Sequence, residues 1–244
     1  MYSILEHYLS TNHILMIGMI VTFILTFFLL EHPFSFLPSD QGRAFAVNGS
    51  LSKGKLRGVG FIFVLCFLIS SVLFLPLDVE YVIYGILLFA MMISGYLDDA
   101  SKTPWNEYKK GLIDLVISVV AVLTYMNFNS TTICFGADEI VIPKALFLIL
   151  GVILIWVSVN VTNCTDGVDG LCASLCSVTL LAFGVLFAPI LQKYAMANFL
   201  FLSVLFAYLY FNSSPSSMLM GDAGSRALGF YIAVIALKST HPFI

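Results

Sequence analysis

Eight apolar stretches, each set off from the next by a short polar segment, constrain this chain more than any other feature. They lie near residues 13–30, 59–77, 81–96, 112–128, 145–161, 171–189, 196–211 and 227–237. A run of roughly 17 to 25 apolar residues is long enough to cross a bilayer as a helix. Composition agrees: of 244 residues, 60% are hydrophobic and 10% are charged, and the mean hydropathy is +1.00. A soluble domain carries about 25% charge, so too few charges remain here to cover a water-facing surface unless much of that surface faces lipid. The expectation is an all-α polytopic membrane protein, one integral membrane domain over residues 1–244 with about eight transmembrane helices. The first run lacks a basic leader and a small-residue cleavage site, so it reads as a retained helix rather than a signal peptide.

The net charge of -3 excludes a nucleic-acid binder built on a basic field. Cys66, Cys134, Cys164, Cys172 and Cys176 lie mostly inside apolar runs, without ligand spacing to a histidine. They read as structural thiols rather than a zinc site or disulfides.

Basic residues favour the cytoplasmic side of a membrane protein. Alternate loops hold Arg43, Lys53, Lys55, Arg57, Lys102, Lys109, Lys110 and Arg226, against Lys144, Lys193 and Lys238 on the other side. That asymmetry predicts both ends of this chain outside, and the first, third, fifth and seventh loops in the cytoplasm. Residues 131–143 alternate weakly around Gly136 and Asp138, which suits a small external hairpin.

The acids then fall into place. Asp98 and Asp99 follow the third run, Asp166 and Asp169 the fifth, and Asp222 the seventh, so three separate segments bring carboxylates to one membrane face. In hydrocarbon each would cost about 3 kcal/mol, roughly 15 together. They belong at a wet interface or in a polar cleft.

Each motif has a plain alternative. Asp98 and Asp99 cannot share a helix face, yet at a helix end both reach a common pocket, with Lys102 as a phosphate partner; alone, they also suit a solvated cap. Asp166-Gly167-Val168-Asp169-Gly170, preceded by Asn160, Thr162, Asn163 and Thr165, forms a turn that presents donors and acceptors to a polar ligand, or caps the next helix. Met220-Gly221-Asp222-Ala223-Gly224 lets backbone approach a ligand while one carboxylate stays free for a hard cation. Magnesium uses only one or two protein carboxylates, with phosphate oxygens and water completing its shell. Ser52 to Gly60 is basic and glycine-rich but lacks the Gly-Lys-Ser/Thr ending of a P-loop, and Phe63 stands where a dinucleotide fingerprint needs glycine. ATP and NAD sites are not indicated, and anchoring to anionic lipid would account for this segment too. Asp114, one turn after Lys110, is expected to form an i, i+4 ion pair with it. Asn212, beside Ser213 and Ser214, could be a simple cap.

In combination and order, Leu51 to Gly60, GYLDDASK, NCTDGVDGL and MGDAGSRALG resemble the polyprenyl-phosphate N-acetylhexosamine-1-phosphate transferase superfamily, most closely its phospho-N-acetylmuramoyl-pentapeptide transferase family. The resemblance implies a magnesium-dependent enzyme of the bacterial cell membrane. Such an enzyme transfers phospho-MurNAc-pentapeptide from UDP-MurNAc-pentapeptide to undecaprenyl phosphate at the cytoplasmic face, giving lipid I and UMP for peptidoglycan. It implies Asp98 and Asp99 as the catalytic pair and Asp222 as the magnesium ligand. Lys102 would contact phosphate, Lys53 the substrate, and Asn163, Asp166, Asp169 and Asn212 the nucleotide sugar. A homodimer is compatible with it. Leu219 stands where the family often has an aromatic beside the uracil, and Lys55-Leu56-Arg57 replaces the common Thr-Pro-Thr.

Arginine in that segment is similar to the branch that uses UDP-GlcNAc, which makes GlcNAc-1-phosphate transfer to the same lipid the alternative. Family members have about ten helices and a later histidine-bearing loop, which His7, His13, His32 and His241 do not supply, so a C-terminal truncation is expected. A transporter or an inactive membrane scaffold is the alternative of another class. Against transport, the acids cluster in loops on one side, with no midplane pair and no inverted repeat.

Overall fold

A computed structural model describes the chain except for Pro33, Gln41, residues 43–51, Lys102, Pro104, Gly136, Ala137 and residues 240–244. A short α1 (Tyr2–Leu5) is followed by α2 (Thr11–Glu31), α3 (Gly60–Phe74), α4 (Val79–Asp99) and α5 (Glu107–Phe128). Next come β1 (Thr132–Phe135), β2 (Asp138–Val141), α6 (Lys144–Thr165), α7 (Leu171–Phe187), α8 (Gln192–Asn212) and α9 (Gly221–Lys238). The expected eight helices are therefore present as α2 to α9. Of these, α2, α4, α5, α6 and α8 are each long and apolar enough to cross a membrane, whereas α3 and α7 are shorter apolar helices.

The helix starts have local causes. Asp78 accepts from the Tyr81 backbone N–H at 2.8 Å to open α4, and Asn106 accepts from that of Lys109 at 2.8 Å to open α5. Each satisfies one of the donors that a helix N-terminus leaves unpaired. Pro143, which has no N–H to satisfy, precedes α6. The expected hairpin is also found: β1 and β2 pair antiparallel with Thr132 opposite Val141 and Ile133 opposite Ile140.

The bundle is built around α9, which packs against α3, α4, α6 and α7. All of its residues except Ile232 and Ala236 are buried. Close approach depends on missing side chains: a Cβ on Gly60 of α3 would lie 2.1 Å from the Gly224 nitrogen of α9. At mid-bundle Phe67, Phe201 and Tyr231 join α3, α8 and α9, with Phe67 and Phe201 stacked at 4.2 Å between ring centroids. The outside is the reverse of a soluble protein's. Met16, Ile20 and Phe23 of α2 and Leu146, Ile149 and Ile153 of α6 all point outward, as expected where lipid is the solvent.

Candidate active site

Of the carboxylates singled out from the sequence, Asp98, Asp99 and Asp222 come together at one end of the bundle. Asp98 and Asp99 end α4, and Asp222 lies in the first turn of α9. Lys110, near the start of α5, bridges two of them, with Nζ 2.6 Å from Asp98 Oδ2 and 3.2 Å from Asp222 Oδ2. Arg57 joins three carboxylates, Asp222 again among them: its Nε is 2.8 Å from Asp99 Oδ1, its Nη1 3.3 Å from Asp40 Oδ1 and its Nη2 3.4 Å from Asp222 Oδ1. Burial alone would lower the Arg57 pKa, but Asp99, Asp222 and Asp40 outweigh it and hold the guanidinium above its ordinary value.

Asp99 has a second task. Its carboxylate accepts from the backbone N–H groups of Asp222 at 3.2 Å and Ala223 at 3.0 Å, closing the N-terminus of α9 where the helix dipole favours negative charge. Two glycines make room. Gly221 has φ +67, and a Cβ there would lie 2.3 Å from Asp99 Oδ2. A Cβ on Gly95, one turn before Asp99, would lie 2.3 Å from the Asp222 carbonyl oxygen. Asp98 is held differently, accepting from the Trp105 N–H at 2.7 Å as well as from Lys110.

Arg57 is delivered by extended chain rather than by a helix. Leu56 bridges antiparallel to Ser39 and parallel to Met218. The Arg57 N–H donates to Pro38 O at 2.8 Å, and the Leu219 N–H donates to Leu56 O at 2.8 Å. This strip ties the basic segment to the two chain stretches that flank the acids.

The remaining candidate residues form a second group. Asp169 Oδ2 accepts from the Ser216 N–H at 3.0 Å and lies 3.7 Å from Lys55 Nζ. Its slight burial would raise the carboxyl pKa, but Ser216 and Lys55 outweigh this and keep it below the usual range. Asn212 is buried; its Oδ1 accepts from the Gly170 N–H at 3.0 Å and its Nδ2 donates to Met218 O at 2.9 Å, so it pins this turn to the strip. Asn163 Oδ1 accepts from Ser225 Oγ of α9 at 2.8 Å, and Asp166 is buried at the end of α6. Lys53 is exposed on its turn, away from the acids' ion pairs, and Lys102 lies outside the described residues. Leu219 is buried, with its backbone committed to Leu56. Cys66, Cys172 and Cys176 are buried free thiols.

One expectation is corrected. Asp114 does not pair with Lys110, which turns to Asp98 and Asp222; it pairs with Arg226 of α9 instead, both side chains being almost wholly buried. Sequence reasoning also missed Asp40 and passed over Lys110 and Arg57 as site residues. For Lys110 the available signal was its place on the first turn of a helix opposite three acids.

A helical bundle clad in apolar side chains, with carboxylates and cations gathered at one end, fits a multi-pass membrane protein. Comparison with known proteins narrows this. The sequence profile of glycosyl transferase family 4 matches residues 81–240. A phospho-N-acetylmuramoyl-pentapeptide-transferase of Treponema pallidum (strain Nichols) is 35% identical, over 93% of this chain and 69% of its own length. Proteins of the same name from Halalkalibacterium halodurans and Dictyoglomus turgidum are 29% and 26% identical, over 93% and 92% of this chain and 76% and 74% of their own lengths. The chain belongs to glycosyl transferase family 4, in its phospho-N-acetylmuramoyl-pentapeptide-transferase branch.

Proposed function

We propose that the protein transfers phospho-MurNAc-pentapeptide from UDP-MurNAc-pentapeptide to undecaprenyl phosphate, releasing UMP and forming lipid I for peptidoglycan synthesis. One observation carries this reading: in a chain of this family, Asp98, Asp99 and Asp222 meet around Arg57 and Lys110 at one end of the bundle. A lipid-borne phosphate must meet a soluble nucleotide sugar, so the reaction belongs at the edge of the membrane. The excess of basic residues in the loops on that side supports a cytoplasmic position for it.

In the reaction an oxygen of the acceptor phosphate bonds to the sugar-bearing phosphorus of the nucleotide sugar. The pyrophosphate P–O bond breaks, and its electron pair leaves with UMP. Two anions must be brought together, and the cations already in the cluster supply part of the neutralisation. Lys110 and Arg57 exchange their carboxylate partners for phosphate oxygens as substrates enter. One of the adjacent pair takes a proton from the acceptor phosphate: Asp99 is tied to the α9 N-terminus and to Arg57, and Asp98 to Lys110 and the Trp105 N–H, so either is freed only as substrate draws these cations away. Asp169 and Lys55 flank the site on the nucleotide-sugar side.

The residues fit a divalent cation. Among the described residues the cluster sets four carboxylates, Asp40, Asp98, Asp99 and Asp222, against two cations, Arg57 and Lys110, which leaves two negative charges over. Among those residues no three acidic, histidine or cysteine side chains already surround one position. Magnesium does not need that, since substrate oxygens and water complete its shell. Asp222, with Asp98 beside it across Lys110, would hold the ion. Bound there, magnesium would withdraw charge from the phosphates and favour attack on phosphorus.

GlcNAc-1-phosphate transfer is the second reading, favoured by Arg57 lying at the centre of the cluster. The test is UMP release by the purified protein in detergent, given undecaprenyl phosphate, magnesium and each UDP-sugar separately. UDP-MurNAc-pentapeptide should be consumed and UDP-GlcNAc should not, and Asp222→Asn should lower turnover at least roughly a hundredfold. Turnover with UDP-GlcNAc alone would reassign the sugar. Wild-type rates in Asp222→Asn would remove this residue from the site.

A further inference from the structure

Behind the acid cluster lies a buried ion pair that the proposed chemistry leaves unused. Asp114 is four residues after Lys110 on α5, and Arg226 is four residues after Asp222 on α9, so each helix presents two charges on one face. The signs alternate. Lys110 faces Asp222 in the outer layer, and Asp114 faces Arg226 in the inner one.

Helix packing does not hold these four side chains together. α5 rests on α4 and α6 and has little direct contact with α9. Between them is a cavity of about 190 Å³, lined by Lys110, Asp114, Trp156, Asn163 and Arg226 among others. The charges therefore reach across a gap, and their pairing is set by electrostatics rather than by close fit.

Arg226 is the constrained member. It is 1% exposed, and its Nε and Nη1 find no hydrogen-bond partner among the described residues, so Asp114 is the carboxylate that neutralises it. A buried charge whose partner is removed is strongly destabilised. The nearest other acid on its own helix face is Asp222, one turn toward the N-terminus, and acid before base is the favoured order for such a pair. Asp222 is also within electrostatic range of Asp114, as is Lys110.

We propose that Asp114 acts as a charge shield: by engaging Arg226 it keeps that guanidinium from joining Lys110 and Arg57 on Asp222, so that a divalent cation entering with substrate has one fewer buried cation to displace. Asp114 is thus a positioning residue that acts through Arg226 on the ligand next to it. The inference rests on the magnesium site proposed above. It differs from a simple staple between α5 and α9 in being one-sided. Losing the acid harms the site, whereas losing the base does not.

Binding of Mn2+, a spectroscopic stand-in for magnesium, to the full chain in detergent separates the two without relying on turnover. Asp114→Asn should weaken Mn2+ binding at least about tenfold, the scale on which a neighbouring charge moves an ionic equilibrium. Arg226→Gln should bind within about twofold of wild type or more tightly, and the double variant should return to within about threefold of wild type, because the competing cation is gone. Equal weakening by both single variants, or a double variant as weak as Asp114→Asn, would show a staple and overturn the shield. If Asp114→Asn does not accumulate as folded protein, Arg226→Gln still decides, since weaker binding there contradicts the proposal. Wild-type protein that takes up no Mn2+ would refute the metal site itself, a result distinguishable from failure of the shield alone.

Discussion

Gly221 shows how much of this site depends on one missing side chain. Its φ of +67 and its 2.3 Å clearance from Asp99 Oδ2 to a would-be Cβ mean that alanine there meets both backbone strain and a carboxylate. Gly54 offers the control: φ is +88, yet nothing lies within 4 Å of its would-be Cβ. Gly54→Ala should therefore cost only the left-handed strain, about 1–2 kcal/mol. Gly221→Ala should cost more and should also lose UMP release, as Asp99 is pushed off the α9 N-terminus. Thermal melting of both variants in detergent, beside turnover, checks this; equal losses in the two would mean that the Asp99 contact contributes nothing.

At the same scale, Asp98, Asp99 and Asp222 were readable because each sits in a short motif at the end of an apolar run, whereas Asp40 lies in no such motif. Their partners were not. Arg57 reaches Asp99 and Asp222 across 42 and 165 residues of sequence, and nothing local announces such a pairing. The expected Lys110–Asp114 pair illustrates the difficulty. Spacing allowed it, but each side chain found an opposite charge on another helix that lay closer.

Among the elements, the number and order of helices were legible from hydropathy, while their ends were not. α4 runs on to Asp99, α5 starts at Glu107 and α9 starts at Gly221, each several residues beyond the apolar run that marked it. Charged residues extend a helix when their side chains pair inside the bundle, and an apolar count sees only where hydrocarbon ends. The far end of α9 follows the same rule. Lys238 Nζ donates to Glu80 Oε1 at 3.0 Å and to Asn129 Oδ1 at 2.7 Å, and Glu80 Oε1 also accepts from Tyr84 at 3.0 Å, so the ends of α9 and α5 are fastened to the start of α4. Lys238→Met should leave Glu80 buried without its cation and destabilise the protein by about 3–5 kcal/mol. Adding Glu80→Gln should recover part of that loss in a denaturation series. A single variant as stable as wild type would show that the network contributes little.

Across the whole molecule, apolar surface that would be a liability in water is the solvent-facing side. Ile153 on α6 is 52% exposed. Ile153→Asp should cost about 3 kcal/mol on insertion if it faces the bilayer interior, seen as a lower yield of membrane-inserted protein, whereas Lys53, already exposed on its turn, should accept Asp without such a loss. Comparable yields for the two would place Ile153 outside hydrocarbon.

The enclosure of α9 has an implication for how the chain is assembled. This helix carries Asp222, Arg226 and Lys238, and left by itself in lipid it would be the least welcome of the set. Each of those charges meets its counter-charge on α4, α5 or the segment before α3, all made earlier by the ribosome. The last of these helices to emerge must therefore enter a berth that its predecessors have already lined, and the acid cluster is complete only when Asp222 arrives with it.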